Sequence, residues 1–183
     1  MSRPWWFPDN TVLCSFAAVD RLALLEKVLD DRGRWTQAVA YEARRSAVHL
    51  PALGGLVDGA GWLGEPIEVD GEAEQVLVER LRRVVFGGLA HRPLQHLGEA
   101  ETLAVIESRR EFRTAVWITD DADAGRYARR RGIRVLDTVG VMREAIARGL
   151  VPAAEGHRLL VTMRERGRHL RGIPLRPEDL LGG

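Results

Sequence analysis

A parallel α/β fold is predicted by three features of this sequence. Two short apolar stretches, AVWIT (115–119) and IRVLD (133–137), read as strands, each is followed by a helical pattern, and acids gather where the first one ends. Strand–helix alternation is the signature of a parallel sheet. Such sheets place their ligand sites beyond the carboxyl ends of the strands, which is where Asp120 and Asp121 stand. AVWIT is apolar almost throughout and is expected to be central.

The elements follow in order. Val19, Leu22, Leu25 and Leu29 share one helical face over 17–29, with Gly33 as a stop. Thr36 suits the N-cap of a helix over 37–47. Pro51 and the Gly-rich run 54–64 predict a loop, and the glycines of 52–70 predict mobility. Leu77, Leu81, Val84 and Val85 define a helix over 72–86 that Gly87-Gly88 closes, and 98–109 forms another. After AVWIT come a helix over 121–131, the strand 133–137 with Asp137 as a cap, and a helix over 139–148 ended by Gly149.

The composition bounds the function. With 183 residues, 45% hydrophobic and 29% charged, the chain suffices for one compact domain and is not disordered overall. No window approaches the roughly 18 apolar residues of a membrane span, and MSRPWWFPDN lacks a secretory h-region. Cys14 is the single cysteine, which excludes an internal disulfide and a Cys-based zinc site and fits a reducing cytoplasm. The net charge of +1 does not mark a nucleic-acid binder. Of the 27 basic residues all but Lys27 are Arg, which suits bidentate phosphate contacts or reflects genomic base composition. The tail 157–176 carries six Arg against Glu165 alone, and reads as a solvated basic helix face with a loosely docked end or as a phosphate contact.

The chemistry rests on carboxylates. Asp9 precedes the first helix, Glu42 lies in the second, Glu99 opens the GEAE helix, and Asp120-Asp121 end AVWIT. Acids converging from four elements repel one another unless a hard cation neutralises them. Mg²⁺ or Mn²⁺ so held suits attack of water on a phosphodiester, with no side-chain nucleophile required. Each acid taken singly also has a structural role open to it, because helix N-termini favour acids.

The runs DNTVLCSFAAVDRLALL (9–25), TQAVAYEARR (36–45), LGEAETLAVIESR (97–109) and ITDDADAGRYARRRGIRVLDTVGVMREAIARGLV (118–151) resemble a PIN domain, most closely the bacterial VapC-like branch with its GExEA helix and TDD element. The resemblance implies a three-layer α/β/α sandwich around a central parallel sheet. It also implies a metal-dependent endoribonuclease that hydrolyses RNA phosphodiesters. Position by position, Asp9, Glu42, Glu99 and Asp121 are the implied catalytic, ion-holding acids. Asp120 is an additional or substitute ligand because TDD lets the register slide by one, and Thr11 and Thr119 are the hydroxyls that orient them. The resemblance places a first strand at RPWWFP, where Pro8 predicts a short or bulged strand. It divides the chain into a nuclease domain over 1–151 and a basic helix and tail over 152–183 packed on the same domain. A toxin role would bring a small antitoxin partner, and PIN relatives commonly dimerise. The alternative is a catalytically inactive PIN fold serving as an RNA-binding or protein-interaction module.

Other residues carry weaker signals. Arg126, Arg129 and Arg130 follow directly on the proposed acids and read as holding the RNA backbone or, equally, as a solvated helix face. Trp5, Trp6, Trp35 and Trp62 suit base stacking or core packing. His91 and His96 are possible metal ligands but read as ordinary loop histidines.

Overall fold

The computed structural model describes residues 3–58 and 61–182. Three strands, β1 (Trp6–Pro8), β2 (Val116–Ile118) and β3 (Arg134–Leu136), form a parallel sheet in that order. β2 is central, as its unbroken apolar sequence predicts. The register pairs Trp6, Phe7 and Pro8 with Val116, Trp117 and Ile118, which pair in turn with Arg134, Val135 and Leu136.

Side chains alternate across a strand, so each strand feeds two cores. Trp6, Val116 and Ile118 point into one, where α1 (Asn10–Ala17), α2 (Leu22–Leu29), α3 (Gln37–Ala47), α8 (Thr138–Ala147) and α9 (Ala153–Glu165) supply the packing. Phe7, Trp117 and Val135 point into the other, against α5 (Glu72–Arg80), α6 (Leu97–Ser108) and α7 (Ala122–Arg130). The result is the expected α/β/α sandwich. Leu160 and Met163 of α9 and Leu180 of the tail are buried in the first core. Among the described residues no helix is long and apolar enough to cross a membrane.

Three local expectations are corrected, and one open choice is settled. The helix expected over 17–29 starts at Leu22, and a separate helix precedes it from Asn10 to Ala17. Asp20 takes a left-handed conformation (φ 53°), and Arg21 N–H reaches back to the Phe16 carbonyl, which closes α1. From Val12 to Ala17 every residue of α1 is buried, so it carries no polar stripe for periodicity to detect. The helix over 72–86 loosens into a π-helical turn at Leu81–Val85. The run 54–64 is not simply a loop: Gly54–Val57 form a short helix, α4, and Leu53, Leu56 and Leu63 are buried, while residues 59 and 60 lie outside the described residues. Trp6 and Trp35 are core residues, 7% and 3% exposed, and are not available to stack bases.

The caps follow expectation. Thr36 accepts from Val39 N–H at 3.5 Å, and Asp137 accepts from Gly140 N–H at 2.7 Å. β1 is short, with Pro8 its last residue.

Candidate metal centre

Sheet register sets the geometry of the acids. Because Pro8 pairs with Ile118, Asp9 emerges beside the end of β2, and its N–H donates to the Ile118 carbonyl at 2.8 Å. Because Ile118 pairs with Leu136, Asp120 emerges beside Thr138. Asp9 caps α1: its Oδ1 accepts from Asn10 N–H and its Oδ2 from the Thr11 hydroxyl, both at 2.8 Å. Asp120 is held likewise by Thr138, whose N–H donates to Oδ1 at 2.8 Å and whose hydroxyl donates to Oδ2 at 2.7 Å. Each carboxylate is thereby fixed in orientation before any ligand arrives.

Asp9, Glu42 and Glu99 act on one another, and Asp120 acts weakly on Asp9. Burial, then the charge of Glu99, and more weakly that of Asp120, push Asp9 from 3.8 to about 7, against the opposing bonds from Thr11 and Asn10. Burial, followed by the charges of Asp9 and Glu99, pushes Glu42 from 4.5 to about 8. Burial raises Asp120 despite its two bonds from Thr138, with Asp137 adding repulsion. Asp9 is common to these interactions, joining Glu42 and Glu99 on one side to Asp120 on the other. Among the described residues none of Asp9, Glu42 and Asp120 has an Arg, Lys or His within ion-pairing distance; Glu99 alone has a basic neighbour, His96, whose Nδ1 lies 3.6 Å from Oε1. His91 is exposed.

Asp121 is placed differently. Its Oδ1 accepts from Asp123 and Ala124 N–H, both at 2.8 Å, so it is the N-cap of α7 and is exposed. Thr119 is buried and accepts from Asp121 N–H at 3.2 Å, so it shapes the turn, while Thr11 holds Asp9 directly. Arg126 pairs with Asp123 and, with Arg130, lines a cleft that also includes His96 and Asp121. Arg129 instead reaches the Val135 carbonyl of β3 at 3.5 Å.

Two residues the sequence did not single out complete the surroundings. Thr138 is one, legible only once the register of β3 is known. Glu101 is the other: it accepts from Ala38 N–H at 2.9 Å at the start of α3 and lines, with Tyr41, Glu42 and Leu97, a cleft of about 480 Å³. Gly98 has a steric role, because a Cβ there would lie 3.0 and 3.2 Å from the two carboxylate oxygens of Glu42. Gly98→Ala improves helix propensity by about 1 kcal/mol, so the fold is expected to survive while Glu42 is displaced. The expected result is a smaller rise in melting temperature on adding Mn²⁺, read by thermal melts with and without the ion. An unchanged rise would show that Glu42 accommodates the added methyl without loss of ion binding, and that Gly98 has no steric role there.

Hard carboxylate oxygens without a balancing cation suit Mg²⁺ or Mn²⁺ in donor chemistry. The set is open: among the described residues no three Asp, Glu, His or Cys side chains gather around one point. A parallel sheet with acids beyond its carboxyl edge is an α/β architecture with a candidate ligand site where such sheets place one. The profile described as a PIN domain matches residues 6–172, and the chain belongs to the PIN-domain family. That family is generally one of nucleases that use divalent metals. No curated protein and no solved structure matches the chain.

Proposed function

We propose that this PIN-domain protein is a Mg²⁺- or Mn²⁺-dependent endoribonuclease, with Asp9, Glu42, Glu99 and Asp120 as the ion-holding acids and Asp121 flanking them. The observation that carries the proposal is the set of buried and half-buried carboxylates on separate elements, three of them without a basic partner among the described residues. A bound divalent ion lowers the pKa of its water and stabilises the leaving oxygen. The chain's own residues orient that chemistry: Thr11 and Asn10 N–H fix Asp9, Thr138 fixes Asp120, and Gly98 leaves space for Glu42. Asp120 is favoured over Asp121 because it is half-buried and electrostatically joined to Asp9, whereas Asp121 is exposed.

The direct test is cleavage of a labelled single-stranded RNA with Mn²⁺ and with excess chelator. Cutting that requires the ion is expected; intact RNA in every condition would leave the inactive binding module as the better account. The choice of fourth acid is tested separately by initial rates. Asp120→Asn is expected to lower cleavage by at least about 10-fold, in line with the loss of a ligand or its orienting partner. Asp121→Asn, which still caps, is expected to stay within a few-fold of the parent, and Asp121→Ala to cost about 1 kcal/mol of stability. The reverse ranking of the two Asn variants would make Asp121 the ligand. The finer parts of the proposal are a toxin role, a small antitoxin covering the acids, and dimerisation, tested by co-purification and light scattering.

A further inference from the structure

The chain returns on itself after α9. Gly167 takes a left-handed conformation (φ 82°), Arg168 N–H bonds the Met163 carbonyl at 3.0 Å, and this helix end turns the chain back toward α1. The return is fastened on both sides. Arg166 donates to the Ala18 carbonyl, the His157 Nε2 lies 2.9 Å from the Pro174 carbonyl, Leu180 is buried, and Arg143 donates to the Asp179 and Gly182 carbonyls at 2.8 Å. Between these fastenings, Arg168, His169 and Arg171 form one wall of a cleft of about 460 Å³. Its other wall is Thr11 and Ser15 of α1 together with Asp120, Asp121 and Asp123.

The two walls carry opposite charges that are not spent on each other. Among the described residues neither Arg168 nor Arg171 has a carboxylate within ion-pairing distance, and the buried Nε of Arg168 has no hydrogen-bond partner. Arg168 is close enough for its charge to act on the Cys14 thiol, one turn along α1 from Thr11. A buried donor without a partner has a free-energy cost of about 1–3 kcal/mol, and a guanidinium fork matches a phosphate bidentately.

We infer that the 168–171 return segment is an anion wall beside Asp120, with Arg168 and Arg171 binding backbone phosphates of single-stranded RNA that leads to the acids. This assignment rests on the ribonuclease proposal and extends it to the substrate. It makes the C-terminal segment part of the substrate site, and assigns phosphate contacts to residues other than Arg126, Arg129 and Arg130.

The test measures binding of a fluorescent single-stranded RNA by anisotropy, in the full chain carrying Asp9→Asn so that no cutting intervenes, across a series of salt concentrations. Each phosphate contact to a single strand contributes about 0.7 to the slope of log affinity against log salt. Arg168→Ala/Arg171→Ala is expected to reduce the slope by about 1.4 and weaken binding at least about 10-fold at low salt. Arg171→Ala alone, at an exposed residue that does not threaten folding, is expected to remove about half of the slope change, and Arg171→Lys to restore it. In the wild-type background the double variant is expected to keep its Mn²⁺-induced rise in melting temperature, which shows the fold and acids intact. Undiminished RNA binding by Arg171→Ala and by the double variant overturns the inference and leaves the ribonuclease proposal standing. Absence of RNA binding by the parent chain overturns both.

Discussion

Asp9→Asn is expected to abolish RNA cleavage while making the metal-free protein more stable at pH 8. Asn preserves the shape of Asp9 and can still accept from Asn10 N–H, so the cap of α1 survives. What disappears is a buried charge that repels Glu99, Asp120 and Glu42. If Asp9 holds the ion as proposed, its loss lowers cleavage at least about 100-fold, beyond the 10–100-fold typical of an outer-shell partner. The same substitution relieves repulsion in the apo-protein, so its melting temperature in chelator is expected to rise, and the Mn²⁺-dependent increase to shrink or vanish. Opposite signs on activity and stability mark a site built for a ligand. Wild-type cleavage rates in the variant would remove Asp9 from the site altogether.

The metal-free chain is expected to lose stability as pH rises from about 5 to 8.5. Asp9 moves from 3.8 to about 7 and Glu42 from 4.5 to about 8, so both folded-state affinities for the proton exceed those of the unfolded chain. The stabilisation from each is therefore fully present below the unfolded value of about 4. It is lost as pH rises through the folded value. Every tenfold gain in proton affinity on folding corresponds to about 1.4 kcal/mol, and with the two acids sharing their repulsion the fall in melting temperature is expected to be roughly 5–15 °C. Glu74 and Glu79 are held low by their bonds to Arg109 and Arg82, and their opposite contribution lies below about pH 4.5, outside this window. Saturating Mn²⁺ is expected to restore the loss, about 2.7 kcal/mol at 100 times its dissociation constant. Melts in chelator and in Mn²⁺ across this range read the effect. A flat or rising curve in chelator would mean that the acids are already compensated.

The legible parts of the protein are those with a local physical signature. The strand 116–118 is a buried apolar run, and Thr36 and Asp137 are side chains that bond their own helix starts. Where the burial is complete or the break is tertiary, periodicity fails. Helix α1 has no polar face over most of its length, and the division at Asp20 depends on a left-handed residue that the amphipathic pattern of 17–29 conceals.

The candidate site divides in the same way. Residue type and order in the chain mark Asp9 and Glu99 as acids at element starts and Glu42 as an acid within a helix. The choice between Asp120 and Asp121, by contrast, cannot be made from TDD, because adjacent residues at a strand end differ only in which one turns inward. Pairing of Ile118 with Leu136 separates the two: it brings Thr138 to Asp120 and leaves Asp121 to cap α7, which is the basis for proposing Asp120. The basic tail likewise reads as six arginines on a solvated helix and its end, and only the turn at Gly167 sets Arg168 and Arg171 opposite the acids. Sequence alone determined the class of fold and the chemistry of the donors, because both follow from local pattern and side-chain type. Tertiary structure decided which of those donors share a cleft, because strand register and chain reversal join residues more than a hundred positions apart.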